Sequence, residues 1–361
     1  MKRGIAVIGL ALAAPCALAQ SVAIYGLVDL AVEHVTRVGA SGSGLNRMPG
    51  ATGSLPSRIG FRGSEDLGAG LRAVFILEQG FGPDAGTFNQ GGRAFGRQAL
   101  AGFTAPWGSV TVGRQYTMLY WSLLDADLLG TNIYGSGSLD AYIPNARADN
   151  SIGYRGTFSG LTVGATYSVG RDGVNAGNPA GTNCPGQGGD SKACREWSAL
   201  SKYDGASWGA ALAVDEIRGG PGAFAGLTSS ALKDTRASLN AYVNVADVRV
   251  AAGLIRRDNQ ASATAPRSDL AYVGVLYAAT PLLKIDAEAF RLAFKGSADK
   301  ATLFAVRATY SLSKRTALYA TLGHIANDGA LAVSVSGGAP GSNPAPGTAQ
   351  SALAAGLRHS F

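Results

Sequence analysis

From Val22 onward the chain consists of segments whose apolar residues recur at every second position, while the positions between them stay polar or tiny. Val22, Ile24, Val28, Leu30 and Val32 fall on one face, with Tyr25, Asp29 and Glu33 on the other. Leu71, Ala73, Phe75 and Leu77 stand opposite Arg72 and Glu78, and Leu161, Val163, Ala165, Tyr167 and Val169 stand opposite Thr162, Gly164, Thr166 and Ser168. A period of two is that of a β-strand, whose successive side chains point to opposite faces. Amphipathic helical pattern is scarce, and beyond the first residues no apolar run reaches the roughly 20 needed for a membrane helix. The apolar faces must therefore meet one another in a sandwich core, or meet lipid while the polar faces surround a wet lumen.

The amino terminus narrows the choice. Lys2 and Arg3, an apolar stretch from Ile5 to Leu12, and Ala17-Leu18-Ala19 before Gln20 form the three-part pattern of a cleaved secretory leader, residues 1–19. Residues 20–361 are then one mature domain, and Cys16 is discarded with the leader. Short connections are expected at Glu65 to Gly70, Ala105 to Gly108, Phe158 to Gly160, Asp204 to Ser207, Val245 to Asp247, Ala279 to Leu282 and Ser313 to Arg315. Between them fall long ones: Val38 to Pro56, Gly82 to Gly92, Met118 to Ala146, Gly170 to Ala193, Ile217 to Leu232, Arg257 to Arg267, Lys295 to Asp299 and Ala326 to Ala349. Strict alternation of short and long predicts an all-β fold, about 16 antiparallel strands closed into a transmembrane barrel, with the short turns on the periplasmic side. Trp107, Trp208, Tyr310 and Phe361 sit near strand ends, where amphipathic rings favour the headgroup level. Leu357, His359 and Phe361 alternate outward in a last strand suited to pairing with the first, because an open edge in lipid leaves backbone groups unsatisfied.

Cys184 and Cys194, in a Gly-rich segment of an exported chain, are expected to form one disulfide. Two free thiols would be unusual in that compartment, and the neighbourhood lacks the ligands for a metal site. His34, His324 and His359 are far apart in sequence, and no cofactor is called for. The net charge of +7 includes Lys2 and Arg3, so the mature chain carries 7 − 2 = +5. These charges are spread over alternating strands rather than clustered with aromatics, which argues against nucleic acid as a partner.

Several stretches are longer than chance allows. Ile24-Tyr25-Gly26, the run Ser57-Arg58-Ile59-Gly60-Phe61-Arg62-Gly63-Ser64-Glu65-Asp66-Leu67-Gly68, Arg97-Gln98-Ala99, Val112-Gly113-Arg114-Gln115-Tyr116 and the ending Gly356-Leu357-Arg358-His359-Ser360-Phe361 resemble the trimeric Gram-negative general porin family, in order and over the whole mature chain. The likeness is greatest to the branch that prefers anions. It implies a homotrimer of 16-stranded barrels in outer-membrane lipid, passing small hydrophilic solutes and inorganic ions. It also implies that the third extracellular loop, Met118 to Ala146, folds into the lumen, its apolar start Leu119-Tyr120-Trp121 against the wall. A long loop without a fold of its own is usually functional.

In that family a cluster of wall arginines faces acids on the inward loop. By motif the wall arginines are Arg58, Arg97 and Arg147, and the loop acids are Asp127 and Asp125. Parity independently sets Arg58 with Gly60, Arg97 with Ala99 and Arg147 with Ser151, each opposite apolar neighbours. Arginine facing lipid near the midplane costs about 2 to 4 kcal/mol, which favours the lumen. Arg62, Arg72, Arg114 and Arg155 are secondary candidates that serve equally as solvated wall residues. Alternation from Val110 and Val112 points Arg114 at lipid, so a bulge, or its place near the loop mouth, is needed to turn it inward. Leu27 stands where some relatives carry a wall lysine, which removes one positive charge.

Other functions leave fewer traces. Gly205-Ala206-Ser207-Trp208-Gly209 fits the G-x-S-x-G pattern of serine hydrolases, but it lies in a short β-turn without the following helix. A sugar channel needs an aromatic slide, for which Tyr116, Tyr120, Trp121 and Tyr134 are the available rings, and a phosphate channel multiplies lysine. A surface adhesin would rely on the long loops alone.

Overall fold

The computed structural model describes residues 21–50, 52–170, 189–221, 223, 226–263, 266–337 and 341–361. The expected leader and Cys184 lie outside the described residues. Sixteen long strands form the wall: β1 Ser21–Val38, β2 Arg58–Gly68, β3 Leu71–Gly82, β4 Gln98–Ala105, β5 Gly108–Tyr116, β6 Arg147–Phe158, β7 Leu161–Ser168 and β8 Glu196–Asp204. They continue as β9 Trp208–Arg218, β10 Lys233–Val245, β11 Val248–Asn259, β12 Arg267–Ala278, β13 Leu283–Phe294, β14 Lys300–Ser311, β15 Thr316–Asp328 and β16 Gln350–Ser360. Each pairs antiparallel with its neighbours in sequence, and β1 also pairs with β16, from Leu27 opposite Ser360 to Val35 opposite Ala352. The sheet is thus a closed barrel without a free edge, as hydrogen bonding in lipid demands. Two short strands that the period-two pattern missed, Ser43–Arg47 and Thr87–Phe88, fold back within the first and second long connections.

Closure is secured at the last residue. The Phe361 amide donates to the Gly26 carbonyl at 3.1 Å and its carbonyl accepts from the Gly26 amide at 3.2 Å. A side chain at position 26 would overlap the Arg58 carbonyl oxygen and the Phe361 ring, so only glycine lets the two edges meet.

The faces separate by parity. Leu212 pairs with Leu239, Leu239 with Leu254, and Leu322 with Leu353, all exposed, with Leu239 and Leu322 at 59%. Soluble monomers rarely expose so continuous an apolar surface, which identifies the lipid-facing belt. Trp107, Phe158, Tyr203, Trp208, Tyr277, Tyr310 and Phe361 ring its short-turn end, all exposed. The opposite face carries Asp29, Glu33, Ser198, Ser238, Asn240 and Glu288, all buried.

Hydrophobic burial lies between the third long connection and the wall. A short helix α1, Met118–Leu123, opens this segment. Leu123, Ala126, Leu129, Ile133, Tyr134, Leu139 and Ile143 pack against Ile255, Leu270, Tyr272, Phe290, Leu303 and Ile325, residues on the face opposite the exposed belt.

Candidate functional site

The arginines singled out from sequence gather at the long-connection ends of β2 to β6. Arg58 opens β2, Arg97 immediately precedes β4, and Arg147 opens β6 opposite Tyr116. Glu78 of β3 receives the Arg97 Nε at 2.7 Å and the Tyr25 hydroxyl at 3.0 Å, and lies 3.6 Å from Arg58 Nε. The Tyr116 hydroxyl accepts from Arg97 at 2.6 Å and from Arg147 at 3.0 Å. Arg97 is 5% exposed and Arg147 1%, so each needs close acceptors, and these contacts supply them.

Arg114 joins them through a bulge. The β5–β6 register shifts between Gly113 and Gln115, and Gly113 adopts φ +119°, where an added side chain would overlap the Ala99 carbonyl oxygen. Glycine alone suits this turn of the strand. It brings Arg114 into an ion pair with Asp149, which Arg93 also approaches at 3.3 Å. The group totals five guanidinium ions, Arg58, Arg93, Arg97, Arg114 and Arg147, against two carboxylates, Glu78 and Asp149: 5 − 2 = +3. Sequence reasoning placed Glu78 only on a polar face and did not single out Arg93 or Asp149. The parity that set Glu78 with Arg72 was the available signal.

Aromatic rings connect this wall to α1. Tyr120 stacks on Tyr116 with centroids 3.9 Å apart, and Trp121 meets Tyr116 edge-on at 6.0 Å. The secondary arginines divide: Arg155 lies 3.7 Å from the Trp121 ring centroid, Arg62 lies 5.1 Å from that of Tyr25, and Arg72 is exposed near the short-turn end of β3.

The two loop acids sit in different surroundings. Asp127 is enclosed: it is 4% exposed, accepts the Ser136 hydroxyl at 2.5 Å and lies near Glu288 of β13. The reason is packing: Leu123, Ala126 and Leu129 seat this stretch on the wall and carry Asp127 under the chain. Burial pushes its carboxyl up to about 6, although Ser136, the Gly130 amide and Arg307 favour the charged form. Asp125 keeps more contact with solvent and pairs with Lys202 at 2.5 Å. Further bonds tie the segment to the wall: the Leu129 amide donates to Glu288 at 2.9 Å, Arg307 to the Leu129 carbonyl at 3.2 Å, and Arg236 to Asp140 at 2.8 Å. Burial alone would raise Asp140, but Arg236 holds it below the usual carboxylate range.

Tyr116 and Tyr134 are buried, so the four rings do not form an open slide. Gly205 to Gly209 lies at the β8–β9 turn, a hairpin without a helix. Cys194 is disulfide-bonded. Leu357, His359 and Phe361 share the exposed face of the last strand and its end.

Comparison with known proteins agrees with this architecture. A family model described as Gram-negative porin matches residues 6–330. Outer membrane porin protein 32 of Delftia acidovorans is 28% identical over 381 aligned residues covering both chains completely. An outer membrane porin protein of Bordetella pertussis is 34% identical over 163 residues, 41% of this chain and 42% of that protein. Among solved structures, the anion-selective porin from Comamonas acidovorans superposes with a TM-score of 0.75 at 23% identity, covering 95% of this chain and 100% of the other. A trimer form of Vibrio cholerae OmpT superposes at 0.66 with 14% identity, covering 95% and 100%. With a closed 16-stranded barrel, a lipid-facing belt and a match over most of its length, the chain belongs to the Gram-negative porin family of outer-membrane channels.

Proposed function

We propose that this porin is an anion-preferring diffusion channel for small hydrophilic solutes and inorganic ions, working as a homotrimer, with residues 118–146 folded into the lumen to narrow it. The arginine wall carries the reading: five guanidinium ions against two carboxylates at one level of the barrel. Guanidinium stays protonated at any physiological pH, so the excess is permanent. Fixed positive charge along a narrow, low-dielectric passage concentrates anions and repels cations. The anion-selective description of the Comamonas acidovorans structure and the trimer form of Vibrio cholerae OmpT support the preference and the assembly. Contacts of Leu123, Ile133 and Leu139 with the face opposite the lipid belt support the narrowing.

A sugar-specific channel is disfavoured by the burial of Tyr116 and Tyr134, and hydrolysis by the hairpin, rather than strand-turn-helix, context of the Gly205 turn. Replacing Arg58→Ala and Arg97→Ala together is expected to lower the anion to cation permeability ratio several-fold. Reversal potentials across a planar bilayer in a salt gradient read this directly, and an unchanged ratio would remove the wall from selectivity.

A further inference from the structure

Connections between strands ordinarily lie on the surface, because their backbone groups need water. Ser334, Val335 and Ser336, in the connection between β15 and β16, are instead wholly enclosed. Their polar groups find partners inside. The Val335 amide donates to the Gln350 side-chain carbonyl of β16 at 3.0 Å, and the Val335 carbonyl accepts from the Tyr134 amide at 3.1 Å and the Ser138 hydroxyl at 2.9 Å. The Gly337 amide donates to the Ser138 hydroxyl oxygen at 3.2 Å. Tyr134 and Ser138 belong to the third long connection, so two connections far apart in sequence are paired as one body.

Glu33 of β1 sits at the centre of this contact. Its Oε2 accepts the Tyr134 hydroxyl and the Ser336 hydroxyl, each at 2.9 Å, and its Oε1 pairs with Arg47, directly opposite on the short strand Ser43–Arg47. Arg47 also donates to the Ser336 carbonyl at 3.2 Å. One buried carboxylate therefore joins the wall to the first, third and last long connections. A charge enclosed in this way is tolerable only while its partners stay in place. The wall is shaped for the same contact: a side chain at Gly323 of β15 would come within 2.6 Å of both the Tyr134 ring and a Val335 methyl group.

We propose that the last long connection clamps the third through Glu33, a positioning residue that holds the passage at a steady width. The proposal rests on the reading of residues 118–146 as the segment that narrows the lumen. A segment without regular structure opens locally at little cost unless other elements hold it, and here the clamp supplies the hold. None of its residues belongs to the arginine wall, so steadiness and sign of selectivity are set by different parts of the barrel.

The test records single channels in planar bilayers. Glu33→Gln and, as a variant that keeps the carboxylate, Gly323→Val are each expected to close briefly about tenfold more often than the native chain. Should Glu33→Gln fail to assemble, Ser336→Ala with Tyr134→Phe removes the same contacts without leaving a buried charge unpaired, and carries the same expectation. A disulfide between Ser138→Cys and Gly337→Cys, two adjoining positions, is expected to return the Glu33→Gln channel, or that double variant, to native steadiness, and reductant to release it again. The native chain under the same reductant is the reference, since Cys194 is itself disulfide-bonded. A defect of the wall alone would not respond to a tie between two connections. Native closure rates in these variants, or closures that the disulfide does not quiet, would overturn the proposal. Leu124, 47% exposed just after α1, separates the clamp from the reading beneath it. A bulky methanethiosulfonate attached to Leu124→Cys is expected to lower conductance. Absence of block would remove the narrowing and the clamp with it, whereas block alongside steady variants would remove the clamp alone.

Discussion

At the scale of single residues, the wall works because its charges are held and not merely present. Arg97 and Arg147 are almost wholly enclosed, yet Glu78, Tyr116 and the Pro144 carbonyl give their guanidinium groups acceptors. A buried cation without them would have no tolerable state. Asp127 is the converse, a carboxyl enclosed beside another acid, with its ordinary value of 3.8 raised by burial to about 6. Its neutral form therefore suits the folded chain. The stability this confers is complete below pH 3.8, falls as pH rises, and is gone above about 6. The midpoint of urea unfolding is thus expected to fall between pH 4 and 6 for the native chain and to change less for Asp127→Asn. Identical pH profiles would show that the carboxyl is not the titrating group.

Among the elements, the strands were the most legible part of the sequence, because a face that must meet lipid tolerates few polar exceptions. The seven short turns fall where Gly, Pro, Asp, Ser or Thr residues interrupt the alternation, and the third long connection spans Met118 to Ala146 as read. What escaped was whatever depends on contacts distant in sequence. The Ser43–Arg47 strand is stabilised by pairing with β1 and not by its own pattern, and Asp127 is placed by Leu123 and Leu129 settling on the wall. The arginines themselves were visible as inward exceptions, but their partners Glu78 and Asp149 emerge only when the hairpins are in register. The bulge at Gly113 lies between these cases, since the misplaced parity of Arg114 called for either a bulge or a place near the loop mouth, and the register shift decides for the bulge. Gly113→Val, forced into a conformation that L-residues avoid, is expected to cost about 1 to 3 kcal/mol and to expel Arg114 from its pair with Asp149. A lower unfolding temperature in detergent would register the change, whereas an unaltered one would mean the strand repairs its register without cost.

For the whole molecule, charge is distributed unevenly around the lumen. β2 to β6 carry the excess of arginine, while Leu129, Tyr134 and Ile143 anchor the third long connection to the wall from β10 round to β15. Solutes passing between the two would travel along the cationic side. This arrangement follows from closing the barrel with its apolar belt outward, and it makes the sign of selectivity a property of the entire fold. The zero-current potential of single channels in a planar bilayer, measured across a salt gradient at neutral pH, reads that sign. The expected polarity is the one set by anions moving down their gradient, while a potential of zero or of the cation polarity would contradict it.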